Sequence, residues 1–226
     1  MHQNDIEILI PTFNEGNNIG SVIKELNNEG YFKITVLDAN STDKTVEVAR
    51  ELNCKIILDD NTIKGFGGSV INGLKNLTSD YFCIYDGDGS FDPKDIIHMI
   101  DKINSGNDFV FASRYLNNQK SDDDTIITRF GNFLFTLMVQ ILFKIKTTDV
   151  LFLYVLGKKS KVDQLNLQQQ DFSICTEFVI KAYKNYSCSE IFSKERKRLS
   201  GQSKVNKFMD GLKIMINILR IYFTKK

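Results

Sequence analysis

The stretch YFCIYDGDGSFDPKD, residues 81–95, decides how the chain is read. Its apolar start, 81–85, predicts a short buried strand. The strand ends in Asp86-Gly87-Asp88, and Pro93 suits the first turn of a helix that follows. In an open α/β sheet, ligands collect at the carboxyl ends of strands. Two carboxylates one residue apart at such a place repel each other, and a hard divalent cation bound through oxygen removes that cost. The glycines let a bulky phosphate approach the backbone. A plain turn is the alternative, because Gly and Asp both suit one. An EF-hand is excluded: its required Gly and Glu positions, counted from Asp86, hold Phe91 and Ile97.

Upstream, 6–10, 33–37 and 55–58 read as further strands, and 109–112 continues the series downstream. Between them lie helical patterns: Ile19, Val22, Ile23 and Leu26; residues 43–52; the run from Gly65-Phe66-Gly67-Gly68 to Leu77; and 93–103. Ser41 and Thr42 stand where caps of the second helix would sit. This alternation predicts an α/β protein with a mostly parallel, doubly wound sheet. Pro11, Thr12, Asn14, Glu15, Asp38, Asp86, Asp88 and Arg114 all follow strand ends and are expected to converge on one sheet edge. Asp38 suits a hydrogen bond to a ribose or base; capping a turn is its other reading. The first strand leads into PTFNEG, not GxGxxG, which argues against a dinucleotide fold, and no P-loop occurs.

The 226 residues, 42% of them hydrophobic, are enough for one sizeable α/β domain. A net charge of +1 offers nothing global to a nucleic acid. Cys54, Cys83, Cys175 and Cys188 show no CxxC spacing, which fits a reducing, cytoplasmic compartment. No signal peptide or run of about 18 apolar residues is expected.

The second half changes character. Residues 117–125 form a polar loop with Asp122, Asp123 and Asp124. From Arg129, polar Asn132, Thr136, Gln140 and Lys144 recur at helical spacing among Phe130, Phe133, Leu134, Leu137 and Ile141. The C-terminal residues 205–226 repeat the pattern, with Asp210, Lys213, Asn217, Arg220 and Thr224 as the stripe. Wide apolar faces of this kind predict a pair of helices lying on a membrane surface; the alternative is a helix–helix core or the seam of a homo-oligomer.

PTFNEGNNI, LDANSTDKT, KGFGGSVINGL, YDGDGSFDPKDI and FASRY occur in the order seen in family 2 glycosyltransferases of the GT-A fold, and the chain most resembles their polyprenyl-phosphate group. The resemblance implies one catalytic domain over 1–204, with a donor-binding half (1–118) and an acceptor-side half (119–204). It implies transfer of a sugar from a UDP- or GDP-linked donor to a polyprenyl or dolichyl phosphate, with inversion, on the cytoplasmic face of a membrane. Pro11, Thr12, Asn14, Glu15, Asp38, Ser41 and Gly87 match nucleotide-sugar-binding positions. Asp86 and Asp88 match the DxD pair that holds Mg²⁺ or Mn²⁺, with Ser90 beside it. Lys64 and Arg114 match positions near the phosphates, Arg129 an arginine facing the lipid phosphate, and Asp149 an acid near the active site. Arg198-Leu199-Ser200-Gly201-Gln202-Ser203-Lys204 matches R-x-x-G-x-S-K, a mobile loop that closes on the donor phosphates. The family's Asp-Asp-Gly-Ser is replaced by Asp38-Ala39-Asn40-Ser41, and its Ser-Gly-Phe-Arg by Leu151-Phe152-Leu153-Tyr154. A phosphate acceptor is already ionised; a hydroxyl acceptor would need a base, for which Asp149, Asp171 and Glu177, expected to point off a helix over 173–183, are the candidates. Two other functions stay open: a family 2 transferase acting on a glycan or protein hydroxyl, and a non-catalytic nucleotide-binding module at a membrane surface. A processive polysaccharide synthase, with its QxxRW motif, is disfavoured because the chain has no Trp.

Overall fold

The structure is a computed structural model that describes residues 1–59, 65–118, 126–201 and 206–224. Lys64, Ser203 and Lys204 lie outside the described residues, as do the three aspartates at 122–124. Seven strands form one sheet: β1 (Ile6–Thr12), β2 (Ile34–Asp38), β3 (Lys55–Leu58), β4 (Tyr81–Ile84), β5 (Phe109–Ser113), β6 (Val155–Lys158) and β7 (Cys188–Phe192). Their order across the sheet is β3-β2-β1-β4-β6-β5-β7. β1 runs parallel to β2 and β4, β2 to β3, and β5 to β7; β6 alone is antiparallel, to both β4 and β5. The mostly parallel α/β sheet expected from the sequence is present. β6 is an addition to that expectation. Because it runs backwards, the segment leading into it, with Asp149, reaches the edge where β1, β4 and β5 end.

The helices are α1 (Ile19–Asn28), α2 (Thr45–Glu51), α3 (Gly65–Lys75), α4 (Asp95–Asn104), α5 (Ile126–Phe143), α6 (Lys159–Val162), α7 (Ile174–Asn185) and α8 (Lys207–Thr224). They cover both faces because successive strand residues point to opposite sides. Ile8, Ile10, Val36, Cys83, Val110 and Ala112 pack with residues of α1, α2 and α4. Leu9, Leu37, Phe82, Ile84, Phe109 and Phe111 face the other way, toward α3, α5, α7 and α8. Truncating Ile8, Leu9, Ile10 or Leu37 to Ala is expected to cost about 2–5 kcal/mol.

α5 and α8 pack on each other, with Phe143 edge-on to Tyr222 at 5.9 Å. α5 buries Val139 and Phe143 in the core and, beside them, part of its polar stripe. Its polar Asn132 (3% exposed) and Thr136 (6%) face inward, while Phe130 (60%), Phe133 (59%), Leu134 and Ile141 face solvent. On α8, Asn217 is buried against the Ser173 carbonyl, whereas Phe208, Met209, Ile216 and Phe223 are exposed. Among the described residues, no helix is long and apolar enough to cross a membrane.

Candidate active site

The carboxyl edge of β1, β2 and β4 opens into a cleft of about 370 Å³ lined by Pro11, Thr12, Phe13, Glu15, Ala39, Gly65, Phe66, Ser69, Asp86, Asp88, Phe172 and Arg198. Two loops build its rim by exchanging hydrogen bonds. Asn14 sits at φ 54°, a left-handed conformation that Asn tolerates. Its N–H donates to Ser41 Oγ (2.8 Å), and its Oδ1 accepts from the Thr42 N–H (2.8 Å). The Glu15 N–H donates to Thr45 Oγ1 (2.8 Å) and the Gly16 N–H to Asp43 Oδ2 (2.9 Å). Ser41 and Thr42 therefore do not cap α2, which begins at Thr45 after an N-cap Lys44 without a side-chain cap. The Asn14 N–H claims Ser41 Oγ, and Thr42 Oγ1 donates to Asn14 Oδ1 (3.4 Å). Asp38 is buried and knits the rim from below: it accepts from the Ser41 N–H (2.8 Å), Ser41 Oγ (2.6 Å) and Thr12 Oγ1 (3.2 Å).

At the floor, Asp86 Oδ1 accepts from the Asp88 N–H (3.3 Å), and Asp88 Oδ1 from the Ser90 N–H (2.8 Å). Burial first, then the charges of Asp88 and Glu15, push the Asp86 carboxyl up to about 8. Arg198 Nη2 lies 3.2 Å from Asp88 Oδ2. Among the described residues, no three His, Cys, Asp or Glu side chains are grouped to hold a metal by themselves. Crowded carboxylates of this kind suit a hard cation that completes its shell with oxygens of a bound diphosphate. Gly89, at φ +83°, lies beneath Leu199, whose Cγ would be 2.6 Å from a Cβ there. Across the cleft, Phe66 and Phe172 stack at 5.0 Å.

Arg114 lies at the end of β5 and is held on several sides. Its Nε and Nη2 grip Asp149 at 2.7 and 3.0 Å, and Nη1 meets Glu195 at 3.2 Å. Burial works against its charge, yet Asp149 and then Glu195 hold its pKa well above the usual arginine value. Asn132 Nδ2 completes the node with a 3.0 Å bond to Asp149. Arg129 is exposed and lines a separate cavity of about 290 Å³ with Tyr115, Asn132, Thr136, Gln140 and Thr148. Neither Arg114 nor Arg129 is part of the cleft lining.

Residues 7–165 match the family described as Glycosyl transferase family 2. The chain belongs to glycosyl transferase family 2. A UDP-N-acetylglucosamine–dolichyl-phosphate N-acetylglucosaminyltransferase of Methanococcus voltae is 27% identical over 97% of this chain and 97% of that protein. A dolichol-phosphate mannosyltransferase of Pyrococcus furiosus is 32% identical over 52% of this chain and 35% of that protein. The glucosyl-3-phosphoglycerate synthase of Mycobacterium tuberculosis, solved with Mn²⁺, UDP-glucose and phosphoglyceric acid, superposes with a TM-score of 0.76 at 14% identity, over 96% of this chain and 79% of that one. That likeness shows the shared GT-A-type fold.

In this family 2 glycosyltransferase, Pro11, Thr12, Glu15, Asp86, Asp88 and Arg198 meet in one cleft as anticipated, while Asn14, Asp38 and Ser41 shape it from behind. Phe13, within the same strand-end stretch, also lines the cleft; sequence reasoning missed Phe66, Ser69 and Phe172. Phe66 carried a signal, an aromatic inside a glycine run, whereas Phe172 carried none, because α7 brings it in from far along the chain. Glu177 does not point off α7. It is buried, accepts from the Gln168 and Gln169 N–H groups (2.9 Å each), and pairs with Lys181 at 2.6 Å.

Proposed function

We propose that this family 2 glycosyltransferase moves a sugar from a nucleoside-diphosphate donor onto the phosphate of a polyprenyl-type lipid at a membrane surface. The observation that carries the reading is the pair of half-buried Asp86 and buried Asp88 at the floor of a cleft, with Arg198 3.2 Å from Asp88. Mg²⁺ or Mn²⁺ held by Asp86 and Asp88 would offset the charge that builds on a departing diphosphate. Arg198 adds charge-assisted donors on the same side. Phe66 and Phe172 exclude water from the opposite wall.

The acceptor side supports a phosphate. Each carboxylate that could serve as a base is already engaged: Asp149 by Arg114, Glu177 by Lys181, and Asp171 by the Ser173 N–H (2.9 Å). A hydroxyl acceptor needs one of them released, whereas a phosphate attacks as the anion it already is. The outward apolar side chains of α5 and α8, among them Phe130, Phe133, Ile141, Phe208, Ile216 and Phe223, support a lipid surface next to that acceptor. Two relatives named for dolichyl-phosphate transfer agree in class. The test is a panel of UDP- and GDP-sugars with Mn²⁺ or Mg²⁺, offering undecaprenyl phosphate, dolichyl phosphate or the free polyprenol in detergent. Lipid-linked product from the phosphates alone is expected. Asp88→Ala is expected to lower turnover by about 10²-fold or more. Product from the free alcohol, or undiminished turnover by Asp88→Ala, would overturn the assignment.

A further inference from the structure

After β7 the chain crosses the site edge, and successive residues grip different partners. Glu195 meets Arg114 at 3.2 Å. The Arg196 N–H donates to Ser90 O (2.8 Å), and its guanidinium bonds both Glu25 oxygens (2.6 and 3.0 Å) and the Phe91 carbonyl. Arg198 reaches Asp88, and the Leu199 N–H donates to Asp88 O (2.9 Å). The last grip is reciprocal. Ser200 Oγ donates to Asn18 Oδ1 (2.6 Å), and Asn18 Nδ2 donates back to Ser200 O (3.2 Å) and to Glu15 Oε2 (2.6 Å). Asn18 is 2% exposed and, although it stands at the N-cap of α1, its side chain caps no helix N–H. Its whole amide is given to this junction between a cleft residue and the crossing segment.

We propose that Asn18 and Ser200 form a latch that holds Arg198 over the Asp86/Asp88 pair, which makes them positioning residues for the nucleoside-diphosphate donor. The inference rests on the donor reading above. The other anchors, at Glu195, Arg196 and Leu199, all precede Ser200, so without the latch Arg198 is tied to the donor half on its far side by the Leu199 N–H bond alone. Part of the segment's ordering then falls on the incoming diphosphate, which weakens binding and leaves the reaction of bound donor intact. Two mutually supporting hydrogen bonds of ordinary net strength correspond to about a tenfold change in affinity.

The experiment uses the full chain with Ser200→Ala, Asn18→Ala, the double variant and Ser200→Thr. UDP and GDP binding with Mn²⁺ is measured by calorimetry, donor KM and kcat by turnover, and trypsin cleavage after Lys197 and Arg198 by mass spectrometry. Asn18→Ala, which removes both bonds, is expected to raise the nucleotide Kd and donor KM about tenfold, and Ser200→Ala, which removes one, about threefold to fivefold, with kcat within about twofold and faster cleavage; Ser200→Thr restores all three. The double variant is expected to be no worse than the poorer single one. Unchanged cleavage, a lower kcat at constant KM, or additive losses would overturn the latch. If the wild type binds neither nucleotide while Ser200→Ala is cut faster, the latch stands and the donor reading fails.

Discussion

Gly67→Ala probes whether the Phe66–Phe172 wall is held by backbone packing. A Cβ at Gly67 would lie 2.6 Å from Asp171 O and 2.9 Å from Gln170 C, and closer still to Gln169 O. These are main-chain atoms and cannot rotate away, so the 168–172 segment must shift. That segment is pinned by Glu177 and by the Gly68 N–H bond to Gln170 O (3.0 Å). Overpacking typically costs about 2 kcal/mol, and replacing Gly by Ala within a helix returns about 0.8 kcal/mol. The net loss is about 1.2 kcal/mol, which lowers the melting midpoint of a chain this long by about 2–5 °C. Gly131 is the internal control. It lies within α5, and a Cβ there meets nothing within 4 Å. Gly131→Ala is therefore expected to gain the helix term alone and to melt about 2–3 °C higher. Calorimetry on both variants, with UDP titration to follow the displaced Phe172, decides the matter. A Gly67→Ala midpoint at or above wild type, or a Gly131→Ala midpoint that falls alongside it, would refute the packing argument.

Asp149→Ala strands the buried Arg114 charge and is expected to lower stability by about 3–5 kcal/mol in urea. Lys213→Ala, at exposed pairs of 3.7 and 3.8 Å, is expected to cost less than about 1 kcal/mol. Equal losses from the two would remove the special status of the Arg114 node. The raised Asp86 pKa predicts a pH dependence in the metal-free protein. Its folded form holds a proton more tightly than the unfolded chain, so its contribution is full below the ordinary carboxylate range and is lost as pH rises toward about 8. Asp86→Asn in chelator should therefore gain on wild type progressively between pH 5 and 9, in thermal melts; a gap that does not change with pH would contradict this. Phe130→Glu with Phe133→Glu alters two exposed side chains on α5. Co-sedimentation with anionic vesicles is expected to fall while the melting midpoint holds, and undiminished sedimentation would remove α5 from the membrane contact.

The first five strands were legible because each is a short apolar run closed by a polar turn, and residues after the first and fourth of them, Pro11, Thr12, Glu15, Asp86 and Asp88, line one cleft, whereas Arg114 after the fifth does not. β6 was not legible. Its four residues extend the apolar run Leu151–Leu156 without alternation, since Val155 and Leu156 are buried on opposite faces of a central strand. The partners of Arg114 were equally hidden. A lone arginine after a strand reads as a phosphate ligand, and the Asp149 that claims it arrives only through the antiparallel return of β6. The helical period of α5 was plain, but a period does not say which face turns inward. Asn132, by its bond to Asp149, fixes that choice.

The reversed strand also constrains how the molecule is made. β4 and β5 do not pair with each other, although their Phe82 and Phe109 rings lie 6.5 Å apart; each pairs with β6, which the ribosome delivers some 45 residues after β5. Until residue 158 emerges, the facing borders of β4 and β5 are both unpaired, and the other border of β5 waits for β7 (Cys188–Phe192). β6 then bridges the two strands, and β7 completes the sheet later still. Biogenesis of this enzyme is thus an all-or-nothing event: a chain truncated before β6 leaves both borders open to pairing with other molecules, and neither half is expected to survive as a separate module.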